Sequence, residues 1–225
     1  NSFGTDGKDS AILEFQPANK AWHMTSIYGF RTFIKLASAG KEIFYEPFHD
    51  GIVNRAFTIN NSMAMSSCEL RLEESNASLG LKTGVEYFTI PGDCFAALVR
   101  TVTITNTSRK QRSMQVLDGL PQIVPYGIGN LFLKKLSRTI EAWMAVENLE
   151  TGVPFYKVDV DPIDRPQVLH IKGGNFYLSF TPSAASGKAS IIKPIVDPDA
   201  IFGQISDFSC PRIFLDQKRF GYPLQ

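Results

Sequence analysis

An antiparallel β-sandwich carrying one inserted helix is the fold class that this sequence predicts. Three observations support that prediction. Apolar residues recur mainly with period two. Strand-like runs follow one another at roughly 8–12-residue spacing. Turn residues punctuate the runs at Ala39-Gly40-Lys41, His49-Asp50-Gly51, Pro91-Gly92-Asp93, Lys172-Gly173-Gly174-Asn175 and Ser186-Gly187-Lys188.

Read in order, the expected strands are residues 11–16, 26–36, 41–48, 52–59, 67–73, 85–90, 97–105, 113–117, 153–160, 168–172, 176–181 and 191–196. In the run at 67–73, Glu69, Arg71 and Glu73 alternate with Leu70 and Leu72, which predicts one wet and one buried face. The run at 97–105 is the clearest. Leu98, Val102 and Ile104 share one face, Thr101, Thr103 and Thr105 the other, and β-branched residues are dense. A polar turn, Asn106-Thr107-Ser108-Arg109-Lys110, follows, and residues 113–117 return, so these two strands are expected to pair as a hairpin with a long loop. One substantial α-helix is expected around 130–150, because Leu133, Leu136, Ile140 and Met144 fall at helical spacing. Asn130 suits its start and Gly152 its stop. Its lysines come early and its glutamates late, against the helix dipole, so packing has to stabilise it.

The chain has 225 residues, and we read it as one β-sandwich domain over 1–225, at about 100–200 residues per domain. A net charge of +1 argues against a nucleic-acid binder, whose affinity rests on clustered Lys and Arg. A hydrophobic content of 44% argues against a disordered chain. No apolar run approaches the ~18–20 residues of a membrane helix, so no membrane partner is expected. Cys68, Cys94 and Cys210 are an odd, scattered set without zinc spacing. They fit a reducing compartment, and a cytoplasmic setting is expected. The ends, Asn1-Ser2-Phe3 and Tyr222-Pro223-Leu224-Gln225, suggest a fragment of a larger multidomain protein.

No catalytic motif stands out. His23, His49 and His170 are far apart, no Gly-x-Ser-x-Gly occurs, and Gly127-Ile128-Gly129 lacks the rest of a dinucleotide fingerprint. Asp159-Val160-Asp161-Pro162-Ile163-Asp164 lacks the glycine and terminal glutamate of a calcium loop and reads as a solvated turn. No metal ligands and no resident cofactor are assigned. The least ordinary segment is 117–127, with two prolines and two glycines. It reads either as a loop that stops sheet pairing or as a rigid loop presenting Asp118, Gln122 and Tyr126 to a ligand. Twenty-six aromatic residues, 17 of them Phe, suit a core first and a sugar platform second. Trp22, Tyr28, Tyr126 and Trp143 are the aromatic candidates for sugar contact.

Several segments carry a family resemblance: Glu69-Leu70-Arg71-Leu72-Glu73-Glu74, Leu79-Gly80-Leu81-Lys82-Thr83-Gly84-Val85-Glu86-Tyr87-Phe88-Thr89-Ile90-Pro91, Leu117-Asp118-Gly119-Leu120-Pro121-Gln122, Thr139-Ile140-Glu141-Ala142-Trp143-Met144 and Gly173-Gly174-Asn175-Phe176-Tyr177. Together they resemble the N-terminal β-domain of glycoside hydrolase family ninety-four phosphorylases, the relatives of cellobiose phosphorylase, and most of all the 1,2-β-oligoglucan phosphorylases. The resemblance covers about half the chain. It implies a galactose mutarotase-like β-supersandwich. In such enzymes an (α/α)6 barrel, absent from this chain, holds the general acid and the phosphate site, so no catalytic residue is carried over. The resemblance implies a non-catalytic domain that scaffolds the barrel, a homodimer and the β-glucan cleft, with inorganic phosphate as the parent enzyme's co-substrate. Asp118, Gln122, Tyr126 and Trp143 are the cleft or interface candidates. The rival readings are an autonomous carbohydrate-binding module and a mutarotase-like sugar enzyme.

Overall fold

The computed structural model describes residues 3–4, 11–13, 27, 29–38, 40–51, 54–136, 138–182, 188–205 and 207–214. The chain divides into two compact units. The central unit is Phe30–Leu120. The terminal unit combines Asn1–Gly29 with Pro121–Gln225. The fold is mainly β, with several antiparallel sheets and only short helices. The terminal unit begins with the paired strands β1 (Phe3–Gly4) and β2 (Ala11–Leu13).

Two sheets build the central unit. The first contains β3 (Arg31–Ser38), β4 (Lys41–Tyr45) and β9 (Ser113–Gly119), in the order β4-β3-β9. The second contains β5 (Ile59–Met65), β6 (Glu69–Asn76), β7 (Leu81–Thr89) and β8 (Leu98–Asn106), paired in sequence order. Period-two burial is clean along β7, where Leu81, Thr83 and Val85 are buried between less buried neighbours. Ile34 and Leu36 of β3, Tyr45 of β4, Leu79 and Leu81 meet in one apolar cluster. Side chains of both sheets therefore share a core.

The turn from β6 to β7 is set locally. The Asn76 side chain accepts from the Leu79 amide at 3.0 Å. Gly80 has φ +63°, and a Cβ there would lie 2.7 Å from the Ser108 Cβ, so only glycine fits without strain. The expected polar turn after β8 is present: the Asn106 carboxamide accepts from the Ser108 amide at 3.0 Å and donates to the Lys110 carbonyl at 2.8 Å.

Several expectations need correction. The hairpin of 97–105 with 113–117 does not form. β8 pairs with β7, whereas β9 pairs with β3 across Arg31↔Gly119 to Ala37↔Ser113. The intervening residues 107–112 are long enough for the chain to change sheets. The strand expected at 52–59 is replaced, within its described residues, by a short 3₁₀ turn at Asn54–Ala56. The buried Asn54 side chain holds that turn by donating to the carbonyls of Glu46 and His49. Residues 52 and 53 lie outside the described residues. The strand in this region is β5, which the sequence pattern does not mark, because Ile59-Asn60-Asn61-Ser62-Met63-Ala64-Met65 has little β-branched content.

The helix expected over 130–150 is not continuous. α1 (Asn130–Leu136) and α2 (Arg138–Glu141) are followed by the strand β10 (Ala145–Glu147) and a 3₁₀ turn at Leu149–Thr151. The late glutamates oppose helix continuation through the dipole, and Asn148 and Gly152 both adopt left-handed conformations. β10 instead pairs with β11 (Phe155–Lys157), which pairs with β12 (Asn175–Phe176). β13 (Phe180–Pro182) and β14 (Ala189–Ile191) form a separate hairpin. The strand expected at 153–160 is thus shorter, that at 176–181 is split between β12 and β13, that at 191–196 meets β14 only at Ile191, and 168–172 contributes a single bridge, Val160↔His170. α3 (Pro198–Phe202) is capped by Asp197, which accepts from the Asp199 amide at 2.9 Å, and has Pro198 in its first turn.

Candidate functional site

Asp118 is not a loop residue. It lies near the end of β9, opposite Thr32 of β3. Its carboxylate accepts from the Thr32 hydroxyl at 2.6 Å and is ion-paired with the Arg100 guanidinium of β8. Arg100 spends its other donors within the same cluster. Nε donates to the Tyr87 hydroxyl at 2.9 Å, and Nη2 donates to Thr32 Oγ1 at 2.8 Å. The guanidinium also lies over the Phe30 and Tyr87 rings, at 5.5 and 5.6 Å from their centroids. Burial works against its charge, but the Asp118 carboxylate and the hydrogen bonds it donates to Asp118 and Tyr87 hold its pKa above the ordinary arginine value. This arrangement bolts one sheet to the other. Asp118 retains 31% side-chain exposure.

Gln122, Tyr126 and Trp143 belong to the terminal unit. Gln122 donates from Nε2 to the Glu141 carboxylate of α2 at 3.2 Å. Tyr126 packs on Gly173, where a Cβ would come within 3.0 Å of its ring. The loop around them is largely structural: Val124, Pro125 and Ile128 are buried, and Val124 and Ile128 share a cluster with Ile140 and Val158. Asn175 donates to the Val124 carbonyl at 2.7 Å. Gly174 sits so close to the Tyr156 carbonyl that a Cβ would lie 2.3 Å from it. Burial beside Tyr177 pushes the Tyr156 phenol up to about 12. Trp143 is different, being 54% exposed. Trp22, Tyr28 and His23 lie outside the described residues.

No acid–base pair emerges around the other histidines. His49 Nδ1 stands 4.0 Å from Glu46, beyond hydrogen-bond reach, and the Glu46 carboxylate already accepts two bonds from Arg31. In the acidic turn, Asp161 accepts from the Ile163 amide, and Asp159 pairs with Lys157 at 3.1 Å. Among the described residues no three His, Cys, Asp or Glu side chains converge as a metal site, and no helix is long and apolar enough to cross a membrane. Cys68 and Cys94 are exposed free thiols. A shallow polar concavity of about 360 Å³ lies on the outer face of the four-stranded sheet, between Arg71, Glu73, Lys82, Glu86 and Thr103. Its charges are mutually paired, Arg71 with Glu86 at 2.9 Å and Lys82 with Glu73 at 2.9 Å.

Sequence reading missed an apolar stripe in the terminal unit. Phe176, Leu178 and Phe180 alternate along one extended run, Ile191 is the register partner of Phe180, and Ile192 follows. The Ile192 amide donates to the Ser179 carbonyl at 2.8 Å. These five side chains are 44–53% exposed. The alternation was readable, but which face lacked a cover was not. Comparison with models of protein families finds no match, and comparison with curated proteins finds none.

Proposed function

We propose that this chain is the galactose mutarotase-like β-supersandwich that precedes the catalytic barrel of an inverting β-glucan phosphorylase, of the 1,2-β-oligoglucan or cellobiose type. In this reading the chain performs no chemistry. It supports an (α/α)6 barrel, where phosphate attacks the anomeric carbon while a barrel acid protonates the leaving oxygen. It also contributes to a cytoplasmic homodimer and borders the glucan cleft.

The observation that carries the reading is the exposed stripe of Phe176, Leu178, Phe180, Ile191 and Ile192. Half-exposed apolar side chains along neighbouring segments, Phe180 and Ile191 of them directly paired, are what a domain shows where a neighbour docks. The mainly antiparallel β architecture is compatible with it. The test is phosphorolysis of β-1,2-oligoglucan by the complete source protein, read as sugar 1-phosphate release. Activity is expected from that protein and none from this chain. Leu178→Ser with Phe180→Ser in the complete protein should lower its activity and heat resistance together. A complete protein of about 25 kDa without phosphorolysis overturns the reading.

The exposure of Trp143 favours a second reading, an autonomous carbohydrate-binding module. That reading predicts calorimetric glucan binding by this chain alone, abolished by Trp143→Ala.

A further inference from the structure

We propose that β5 is a self-pairing edge, through which two copies of this chain join their four-stranded sheets into one continuous sheet. This rests on the homodimer of the proposed function, to which it assigns an edge, and phosphorolysis by the complete protein tests that function separately; the edge lies in the central unit and the apolar stripe in the terminal one.

The argument starts from what sheet edges need. An edge strand presents unpaired backbone donors and acceptors, and proteins blunt such edges with charge, proline, bulges or cover. β5 has none of these among the described residues. Ile59–Met65 contains no charged residue and no proline. Its register with β6 runs without a shift from Ile59↔Asn76 to Met65↔Leu70. Among the described residues it pairs on one side only, and residues 60–65 are exposed. The other edges of the two central-unit sheets are guarded. β8 carries Arg100, β4 carries Lys41 and Glu42, and β9 carries Asp118.

Charge selects the occupant. An isologous two-fold contact places each residue against its own copy or a near neighbour, so a charged strand repels itself. An uncharged strand does not. Centred on Ser62, an antiparallel pair overlaps over the whole of β5. Met65 then faces Ile59 of the second copy on the core-side face. Met63 and Met65, 69% and 79% exposed, gain apolar neighbours there. A net charge of +1 leaves little long-range repulsion between copies.

The experiment is sedimentation velocity of the chain over a dilution series, for the native protein, Ser62→Lys, Ser62→Glu and an equimolar mixture of the two variants. The native chain should reach twice the 25.0 kDa protomer mass and dissociate on dilution. Each variant alone should stay at protomer mass, and the mixture should recover the dimer. A native chain that remains monomeric throughout overturns the proposal. So does a dimer that Ser62→Lys leaves intact. Should a variant fail to fold by circular dichroism, amide exchange of the native chain decides. Slower exchange across residues 59–65 in the concentrated sample upholds the pairing, and equal exchange refutes it.

Discussion

The central and terminal units handle the same kinds of residue in opposite ways. In the central unit β3, β6, β7, β8 and β9 are seven to nine residues long, and their apolar side chains close on one another around Ile34, Leu36 and Leu81. In the terminal unit no described strand exceeds three residues, and Phe176, Phe180 and Ile191 stay half exposed. Long ladders let both faces of a sheet be assigned to core or solvent. Short ones leave apolar residues without an opposite layer. The lesson is that long strands let the central unit close one core between two sheets, while the terminal unit, beside its own core of Val124, Ile128, Ile140 and Val158, leaves the apolar side chains of its short strands half exposed.

The largest effect to break this comparison is a core truncation. Ile34→Ala, at a position with no exposure, should cost about 3–5 kcal/mol in denaturant unfolding. A loss below about 1 kcal/mol would mean that the central unit does not depend on its own core. Next comes the bolt between its sheets. Arg100→Met should cost about 2–4 kcal/mol, less than a fully buried pair because Asp118 is partly exposed. Asp118→Asn should cost less, since the amide oxygen still accepts from Thr32. Equal losses would point to Asp118, not Arg100, as the member that matters.

A smaller, pH-dependent effect comes from Glu74. Its side chain is buried on the core-side face of β6, where Oε2 accepts from the Phe48 amide at 2.7 Å and Oε1 has no hydrogen-bond partner among the described residues. Burial raises its pKa above the ordinary value of 4.5, and the Phe48 hydrogen bond only partly offsets this. The folded state therefore holds the proton to higher pH than the unfolded state does. Stability should fall as pH rises from about 4.5 through the folded value, and the loss should persist above it. Glu74→Gln should flatten that slope and stabilise the chain at neutral pH, as read from urea unfolding at several pH values. A wild-type slope unchanged in the variant would place the titration elsewhere. The smallest effect belongs to the terminal unit. Phe180→Ser should change the stability of this chain by less than about 0.5 kcal/mol, because the ring is already half in water. A loss of several kcal/mol would show that the stripe is core after all.

Strand existence was legible wherever period two was strong. The alternation of Glu69, Arg71 and Glu73 with Leu70 and Leu72 placed β6, and Leu98, Val102 and Ile104 placed β8. β5 was not legible, because asparagine, serine and methionine carry no strand preference and only pairing with β6 makes them extended. The 130–150 helix misled for a related reason. Leu136, Ile140 and Met144 do line one packed cluster, but over two short helices and a turn. Of the four candidate side chains, Asp118 proved to be held by Arg100 and Thr32, a contact spanning 86 residues for Thr32 that no local spacing reveals.

Composition, charge and apolar period are summed or local properties, so the sequence by itself determined a mainly β chain of near-neutral charge with polar, glycine-marked turns. Tertiary structure alone decided that β8 and β9 part to different sheets, that Arg100 reaches Asp118, and that the Phe176–Phe180 face stays open. These outcomes turn on which distant strands pair and cover one another. Each side chain's energy there is set by neighbours far along the chain, through burial, and not by the residues beside it.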